Sequence, residues 1–451
     1  MEQRRGNTGI ASYLLSACLM LGLCGCGTAA AGNGAQMQPV QAVPEEISYQ
    51  LLEQAQLDYQ VPEQYPGVWV SLGGYDSKGS KAVYFYGRSL PDSFRLMDAA
   101  TGQCVYTGRL EEKRYNAETQ EYISYGEFTD FTDVGEYYIE CDIIGRSYGF
   151  VIQEGLLQEQ FARTLTEIRS QGLQTEYEPQ EIRELLQQVV LVLLSYELYP
   201  EVYEDGDGNQ IPDILEYMTE TVSSLVQLQQ SPEPDELTYE RIAALAKYSY
   251  LYQKYDNPHA TEMIQLAAGL WQQAEKAGEE QRAQLGGEAR LLAAAELYRA
   301  TGQRKYAAEV EAAEGGLLWK KEQGTFGQYD YLAAVTYIST KQKVNVDLCS
   351  SLIRVVMNRA EEVAAGIPRM SVREVDLSRE AVDSMLWDMA VLSVVEYVIT
   401  NYEYGSLIES QYYFLWGRNE KSHCFREEEI SGQPAWLACY LLMLSEMRTN
   451  G

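Results

Sequence analysis

The chain has 451 residues and carries 35 Lys and Arg against 66 Asp and Glu, a formal net charge of −31. At roughly 100–200 residues per domain, this length predicts two or three domains. So acidic a chain lacks a basic face for phosphates, which argues against nucleic acid and anionic lipid surfaces as main partners. The two histidines, His259 and His423, nearly exclude a His-rich zinc site and leave few candidates for a His-based triad. Carboxylates are the abundant candidate chemistry.

Residues 1–25 have the pattern of a bacterial lipoprotein signal peptide. Two arginines precede an apolar run over 10–23, which at roughly 14 residues is too short to span a bilayer but suits a signal-peptide core. The run ends in Leu-Cys-Gly-Cys, and the small Gly25 before Cys26 makes Cys26 a better lipidation site than Cys24. We expect a mature protein outside the cytoplasmic membrane, anchored by lipid. The alternative is an ordinary secretory signal with chance cysteines.

Three further segments differ in their apolar pattern. Residues 26–46 are rich in Ala, Gly, Gln and Pro without periodicity, which predicts a flexible tether. Over 47–153, short β-forming runs alternate with Gly- and Pro-containing turns, as in a β-sandwich. Over 154–451, apolar residues recur at three- and four-residue spacing, which predicts helices. These helices are expected near 157–171, 179–200, 211–230, 237–256, 258–277, 285–301, 303–319, 328–340, 343–364, 379–402, 404–416 and 432–449.

Cysteine spacing does not predict a disulfide framework. Five cysteines follow Cys26, an odd number at wide intervals. Cys104 and Cys141 both fall in the predicted β-domain. They could form a disulfide with each other or remain as two free thiols.

The β-domain carries a recognisable family pattern. Residues 94–108 read Phe-Arg-Leu-Met-Asp-Ala-Ala-Thr-Gly-Gln-Cys-Val-Tyr-Thr-Gly. This segment resembles f-l-x-D-a-x-T-G-x-v-v-x-x-G in the N-terminal immunoglobulin-like domain of family 9 glycoside hydrolases, the cellulases. Residues 126–135 and 145–152 are similar to the second half of that domain.

The helical part resembles the same family, with its motifs in the same order. Residues 209–216 resemble the family's N-G-I-P-D-I-L-D-E, residues 288–302 resemble A-A-A-E-L-Y-x-A-T-G, and residues 413–419 resemble Y-x-L-G-x-N. The resemblance implies an (α/α)6 barrel of six inner and six outer helices after the sandwich. Twelve predicted helices in hairpins are the number that such a barrel needs.

The water-activating acids of the family are missing from their expected place. The resemblance implies inversion, in which an Asp pair in D-A-G-D-Y activates water and a C-terminal Glu protonates the leaving oxygen. Counting back from the following helix, the pair should lie near Gln174 and Tyr177, but 171–180 contains no Asp. Glu176 and Glu178 flank the expected places without matching them. We interpret them as solvated residues before a helix start.

Glu429 is the candidate for the surviving acid. Glu429, Ile430 and Gln433 resemble the family's N-E-x-x-I-x-x-N element. The alternative is that the acids over 427–429 stabilise the start of the next helix through its dipole. The family's substrate-binding H-H-R loop is largely deleted, and His423 is no convincing substitute. Without the water-activating acids, Glu429 alone cannot run the inverting mechanism.

An acidic turn has oxygen ligands at the spacing of a calcium loop: Asp205, Asp207, Asn209, Asp213 and Glu216. It departs from that pattern because Gln210 replaces the Gly of the sixth position. The alternative is a polar turn before a helix that begins near Pro212. No cofactor is required, and calcium here would be structural.

Three functions are compatible with these patterns. The first is a surface lipoprotein with cellulase architecture, a pseudoenzyme that binds glycan or acts as a scaffold. The second is a working inverting β-glucan hydrolase that uses Glu429 and a non-standard base, Glu176 or Glu178. The third is a protein–protein interaction module without carbohydrate. We expect a monomer whose partners are polysaccharides or oligosaccharides of the β-glucan class, with membrane contact through the lipid only.

Overall fold

The computed structural model describes residues 65–425 except 118, 171–172, 175, 199, 201–202, 229–232, 279–284, 314, 318–319, 321–325, 368–378 and 400–403. The predicted signal peptide, tether and helix over 432–449 lie outside the described residues, as do Cys26 and Glu429. Within the described part of the chain, no helix is both long and apolar enough to cross a bilayer.

The first part of the described chain is a two-layered β-sandwich. Its strands are β1 Val68–Trp69, β2 Tyr75–Asp76, β3 Ala82–Gly87, β4 Ser93–Asp98, β5 Cys104–Arg109, β6 Glu111–Asn116, β7 Glu121–Glu127, β8 Gly135–Cys141, β9 Gly145–Arg146 and β10 Phe150–Gln153. One sheet has the order β1-β3-β7-β6, and the other has the order β2-β10-β8-β4-β5 with β9 paired to β8. β10 runs parallel to β2 and antiparallel to β8.

Alternating side chains fill the core between the two sheets. On β3, Val83 and Phe85 point into the core, whereas Tyr84 pairs with other aromatic residues on the opposite face. Phe94 of the second sheet packs against Phe85 with ring centroids 5.3 Å apart. Gly108 makes room for the Phe94 ring, because a Cβ there would lie 2.2 Å from Phe94 Cζ. The glycine and aromatic positions of the 94–108 motif therefore form a packing pair.

Cys104 and Cys141 are free thiols, so the disulfide alternative is wrong for this pair. Strand order gives the reason: β4 lies between β5, which carries Cys104, and β8, which carries Cys141. Two strand spacings of about 4.8 Å separate the backbones by more than the roughly 7 Å that a disulfide can bridge. Cys141 is buried, and burial raises the pKa of its thiol to about 11.

Eleven helices follow within the described residues. They are α1 Leu156–Ser170, α2 Pro179–Leu198, α3 Asp213–Gln227, α4 Thr238–Tyr252, α5 Asn257–Lys276, α6 Arg290–Thr301, α7 Arg304–Ala312, α8 Gln328–Ser339, α9 Val346–Gly366, α10 Arg379–Ile399 and α11 Gly405–Leu415. A short 3₁₀ turn, Gly287–Ala289, precedes α6. The predicted helices up to 404–416 each have a counterpart here, which confirms a β-sandwich followed by a helical barrel.

Burial separates the helices into an inner and an outer ring. The inner helices α4 and α8 are buried on nearly all sides, whereas the outer helices α5 and α9 bury one stripe. Neighbouring inner helices pack on one another, α2 on α4, α4 on α6 and α6 on α8. Since one outer helix separates each inner helix from the next along the chain, the inner helices run parallel.

Local signals define the helix ends. The Asp256 side chain accepts the backbone N–H of His259 at the start of α5, where a proline also stands. The Asn345 side chain accepts two backbone N–H groups at the start of α9. Gly302, with φ +68°, ends α6 in the left-handed conformation. His259 therefore belongs to a helix start.

The sandwich is fastened to the barrel by buried polar contacts. Asp76 Oδ2 accepts the N–H of Leu156 at the start of α1, 3.0 Å away. Near the end of α11, the Tyr413 hydroxyl donates to the Ser80 carbonyl at 2.9 Å. The buried Arg418 guanidinium lies over the Tyr84 ring, 4.5 Å from its centroid. Residues of the 413–419 motif therefore form part of the contact between the β-sandwich and the helical barrel.

Candidate active site

The N-terminal ends of the parallel inner helices meet at one end of the barrel, here called the barrel mouth. Arg183 and Gln187 of α2, Glu240 of α4 and Tyr329 of α8 lie there and contact one another. Residues 176–178 lead directly into α2 and therefore reach the same end. The resemblance implies the water-activating acids in the segment just before this helix.

Glu176 and Glu178 are exposed residues beside the mouth, in agreement with their prediction as solvated residues before a helix start. The Glu178 N–H donates to Glu181 Oε2 at 2.7 Å in the first turn of α2, a helix-start contact. The Gln174 N–H donates to the Tyr177 hydroxyl at 2.8 Å, a contact between the two residues near which the sequence count puts the aspartate pair.

Among the described residues, Glu240 is a carboxylate that lies inside the mouth and that the sequence patterns do not indicate. Its side chain is 6% exposed, and its Oε1 accepts from Arg183 Nε at 3.1 Å and from the Tyr329 hydroxyl at 3.1 Å. Gln187 Nε2 donates to the Tyr329 hydroxyl at 2.9 Å. Burial raises the pKa of Glu240 above its ordinary value, although Arg183 and Tyr329 oppose that shift. A lone glutamate inside a largely apolar helix was the only sequence signal.

A small cavity lies beside Glu240. Four polar residues line it, Gln187, Glu240, Gln328 and Tyr329, together with six apolar residues: Leu186, Val190, Leu191, Ala243, Leu292 and Leu332. The cavity is about 10 Å³, which is about the space that one water molecule needs. The cavity is thus lined by both hydrogen-bonding and apolar side chains.

A second polar cluster lies deeper, in the C-terminal halves of the inner helices. Lys247 Nζ lies 2.9 Å from Glu197 Oε2 and 3.3 Å from Glu296 Oε1, and Arg299 bonds both glutamates. All four side chains are at most 6% exposed. Burial acts to raise the pKa of Glu197, but Arg299 and Lys247 together lower it below its ordinary value. This balanced, enclosed cluster ties α2, α4 and α6 together and has no access to a ligand at the mouth.

The acidic turn lies on the surface between α2 and α3. Asp205 accepts three backbone N–H groups, those of residues 208, 209 and 210. Asp213 accepts the Gly206 N–H and bonds Arg169, while Asn209 Nδ2 donates to Asp207 and Glu216. Gln210 has φ +72°, a conformation that glycine adopts at less cost.

This arrangement is that of a hydrogen-bonded turn. The oxygens of Asp205, Asp213 and Asn209 are directed to backbone N–H groups or to Arg169, so they do not converge as a ligand set. Over the described residues, no three His, Cys, Asp or Glu side chains form a group that could hold a metal. Calcium binding at this turn stays a prediction, and no chemistry below depends on it.

The loop after α11 explains the role of another motif residue. Asn419 Oδ1 accepts the His423 N–H, while Asn419 Nδ2 donates to the carbonyls of Phe414 and His423 at 2.9 and 2.8 Å. The His423 ring packs edge-on against Phe425. Asn419 is therefore a turn-forming residue, and His423 is part of that turn.

A β-sandwich followed by an inner and an outer ring of helices places the protein in the class that combines an Ig-like domain with an (α/α)6 barrel. The model of the cellulase N-terminal Ig-like domain matches residues 63–146, and the model of glycosyl hydrolase family 9 matches residues 195–426. The second match covers more than half of the chain. The chain belongs to glycosyl hydrolase family 9, which confirms the resemblance.

Solved structures share this fold. A metagenome-derived glycoside hydrolase family 9 endoglucanase aligns with a TM-score of 0.62 at 15% identity, covering 79% of this chain and 84% of that one. The family 9 protein of Bacteroides ovatus aligns with a TM-score of 0.59 at 13% identity, covering 84% and 98%. A mutant thermostable endoglucanase from Alicyclobacillus acidocaldarius gives 0.59 at 14% identity, covering 80% and 84%. Among curated proteins, none matches this chain.

Proposed function

We propose that this chain is a surface lipoprotein that binds polysaccharide of the β-glucan class at its barrel mouth without hydrolysing it efficiently. Family membership supplies the ligand class. The segment leading into α2 supports the loss of catalysis: counting along the sequence puts the two aspartates near Gln174 and Tyr177, 171–180 contains no Asp, and Glu176 and Glu178 are exposed.

Catalysis by inversion requires a carboxylate that holds the attacking water opposite the acid. Glu240 is a poor substitute, because its Oε1 is engaged by Arg183 and Tyr329 and its carboxyl is buried beside apolar walls. The family match also begins at residue 195 and ends at 426, so the segment before α2 and Glu429 both lie outside it. These observations favour binding over turnover.

The same mouth retains groups suited to sugars. Glu240, Gln187, Gln328 and Tyr329 line the small cavity within it, which combines hydrogen-bonding groups with an aromatic side chain. The formal charge of −31 then reflects a solvated extracytoplasmic surface. The lipid on Cys26 would hold this mouth near the cell envelope.

The test measures retention and turnover on the same β-glucans. The full chain, run in affinity electrophoresis through soluble β-glucan gels, is expected to be retarded, while reducing-sugar release stays at the blank level. Glu429→Gln is the control and is expected to behave like the wild type. Turnover that this change abolishes would support the hydrolase alternative instead. If the chain shows no retention and no turnover, the result would support the third alternative, a protein–protein interaction module.

A further inference from the structure

We propose that the end of the β-sandwich opposite the barrel rests on the bilayer that holds the lipid anchor. This end is called the distal tip here and is defined by its exposed apolar side chains, Tyr65, Tyr115, Tyr122 and Ile143. The inference rests on the lipid anchor of the proposed function and goes beyond it, because it adds a protein surface that contacts lipid. It is independent of the barrel mouth.

The strands of the sandwich carry the distal tip away from the barrel. The Ser80 carbonyl accepts the Tyr413 hydroxyl of α11 where the sandwich meets the barrel, and β3 begins two residues later. β3 ends at Gly87, which pairs with Tyr122 near the start of β7. At about 3.3 Å per residue, Gly87 is roughly 20 Å from Ser80. Residues beside Gly87 therefore lie at the end of the sandwich that faces away from the barrel.

Two tyrosines form an exposed pair at this end. Tyr122 of β7 is the cross-strand partner of Tyr115 on the edge strand β6, and their ring centroids lie 4.9 Å apart. Tyr122 is 38% exposed and Tyr115 is 55% exposed. A tyrosine combines an apolar ring with a polar hydroxyl, and such side chains are enriched at the boundary between lipid and water. The pair is therefore suited to the interfacial region of a bilayer.

Ile143 and Tyr65 extend the same surface. Ile144, in the turn after β8, packs against the neighbouring sheet, since a Cβ at Gly67 would lie 2.4 Å from Ile144 Cγ2 and a Cβ at Gly87 would lie 3.6 Å from it. Ile143 directly precedes this residue and is 61% exposed, and Tyr65, two residues before Gly67, is 40% exposed. Both residues therefore lie at the end of the sandwich that carries the tyrosine pair.

The composition of the tip distinguishes it from the rest of the surface. Among the described residues, four of the nine large apolar side chains that are exposed lie here, and such clustering marks an interaction surface. The segments that form this end, 87–95, 112–122 and 140–146, contain five Lys and Arg against six Asp and Glu, whereas the whole chain has 35 against 66. The tip is thus nearly neutral within a strongly acidic chain, so it meets little of the repulsion that an acidic face has at anionic headgroups.

The course of the chain favours a bilayer over other partners of this surface. Residues 27–64 join Cys26 to Tyr65, the first described residue, so the anchor is attached to the folded molecule at the tip. Attachment at this point raises the effective concentration of lipid at the tip above that of a partner free in solution. An apolar contact too small to hold a soluble protein on a membrane is then sufficient, because the lipid anchor already supplies most of the binding.

The experiment places a tryptophan reporter in the tip of the lipidated full chain, anchored in phosphatidylcholine vesicles whose acyl chains are brominated near the headgroup. Bromine quenches an indole that reaches the lipid, and the wild type measures the background from the six native tryptophans. Bromination should lower the emission added by Tyr115→Trp about twofold or more, because that indole would sit at the level of the headgroups. Adding Ile143→Ser to the same protein should reduce this quenching, since it removes an apolar residue from the contact.

Val346→Trp is the matched control, because Val346 is 72% exposed on the outer helix α9 of the barrel. Bromination should leave its added emission unchanged, and circular dichroism on each variant checks the fold. Equal quenching of both indoles, or quenching of neither while Cys26 carries lipid, would overturn the tip contact and leave the anchor intact. An emission change that follows protein density on the vesicle, with no effect of bromine, would assign the tip to a second copy of the chain and also overturn the lipid contact. Absence of lipid on Cys26 would overturn the anchor of the proposed function, and this inference with it.

Discussion

Lys247 on α4 and Glu197 on α2 form a buried ion pair, 2.9 Å between Nζ and Oε2, with 1% and 6% of their side chains exposed. Arg299 and Glu296 of α6 complete the cluster, so two positive charges balance two negative charges inside the barrel. The four charges of this cluster sum to zero, but the charges of any three members do not. Removing one member leaves the others as uncompensated buried charge.

Lys247→Met is therefore expected to destabilise the protein by about 3–5 kcal/mol. Methionine fills a similar volume, so the loss would arise from Glu197 and Glu296 losing a shared partner. Urea unfolding followed by circular dichroism measures the change. Lys341→Met, at an exposed position after α8, is the control and should change stability by less than about 0.5 kcal/mol. Equal stability of both variants would contradict a charge-balanced cluster.

The lowered pKa of Glu197 predicts a loss of stability in acid. Its native pKa lies below the ordinary value of 4.5, because Arg299 and Lys247 outweigh its burial. The unfolded chain therefore binds the proton first as the pH falls below 4.5, and the native state loses the stability that the ionised form provides. As the pH falls through this range, the urea midpoint should decrease more steeply for the wild type than for Glu197→Gln. The two profiles are compared after they are normalised to the same reference stability. Parallel pH profiles would contradict the prediction.

Glu240 should show the opposite pH dependence. Burial raises its native pKa above 4.5, so the native state binds the proton more readily than the unfolded chain. Stability attributable to this group is then present in acid and falls as the pH rises through the raised pKa. Glu240→Gln should remove that fall, while the exposed Glu176→Gln should not change the profile. A wild-type profile that Glu240→Gln leaves intact would show that Glu240 is not the group involved.

The fold was more predictable from sequence than the site. Apolar periodicity predicts the helices, because a helix that buries one stripe must repeat apolar residues along it. The 94–108 motif predicts strands, and its Phe94 and Gly108 pack against each other in the structure. Strand β6, Glu111–Asn116, has no such signal, since this edge strand is almost wholly exposed and polar. The site around Glu240 could not be predicted for a different reason. Its partners Arg183 and Tyr329 lie 57 and 89 positions away in the sequence, and the ring of inner helices brings them together.

Gly73→Ala should weaken the contact between the sandwich and the barrel. A Cβ at this position would lie 2.2 Å from Trp416 Cε3, and the neighbouring Leu72 N–H donates to the Trp416 carbonyl at 2.7 Å. The backbone or the indole must move, with an expected cost of about 1–3 kcal/mol. Gly269→Ala is the matched control, since a Cβ within α5 meets nothing within 4 Å and should stabilise the helix by about 0.5–1 kcal/mol. Thermal unfolding compares the two, and an unchanged Tm for Gly73→Ala would mean that Trp416 yields freely.

Cys26→Ser should release the protein from the membrane. The predicted signal peptide places Gly25 directly before Cys26, the pattern that precedes a lipidated cysteine, and the helices of the described residues provide no membrane span. In a bacterial host grown with a labelled fatty acid, the wild type should carry label and sediment with membranes. Cys26→Ser should lose the label and become soluble, whereas Cys24→Ser should keep both label and sedimentation, because Leu23 is a poor residue before a lipidated cysteine. Loss of label in Cys24→Ser alone would shift the anchor to Cys24. If the wild type and both variants all lack the label, the result would favour an ordinary secretory signal. The barrel mouth would then act free of the cell envelope.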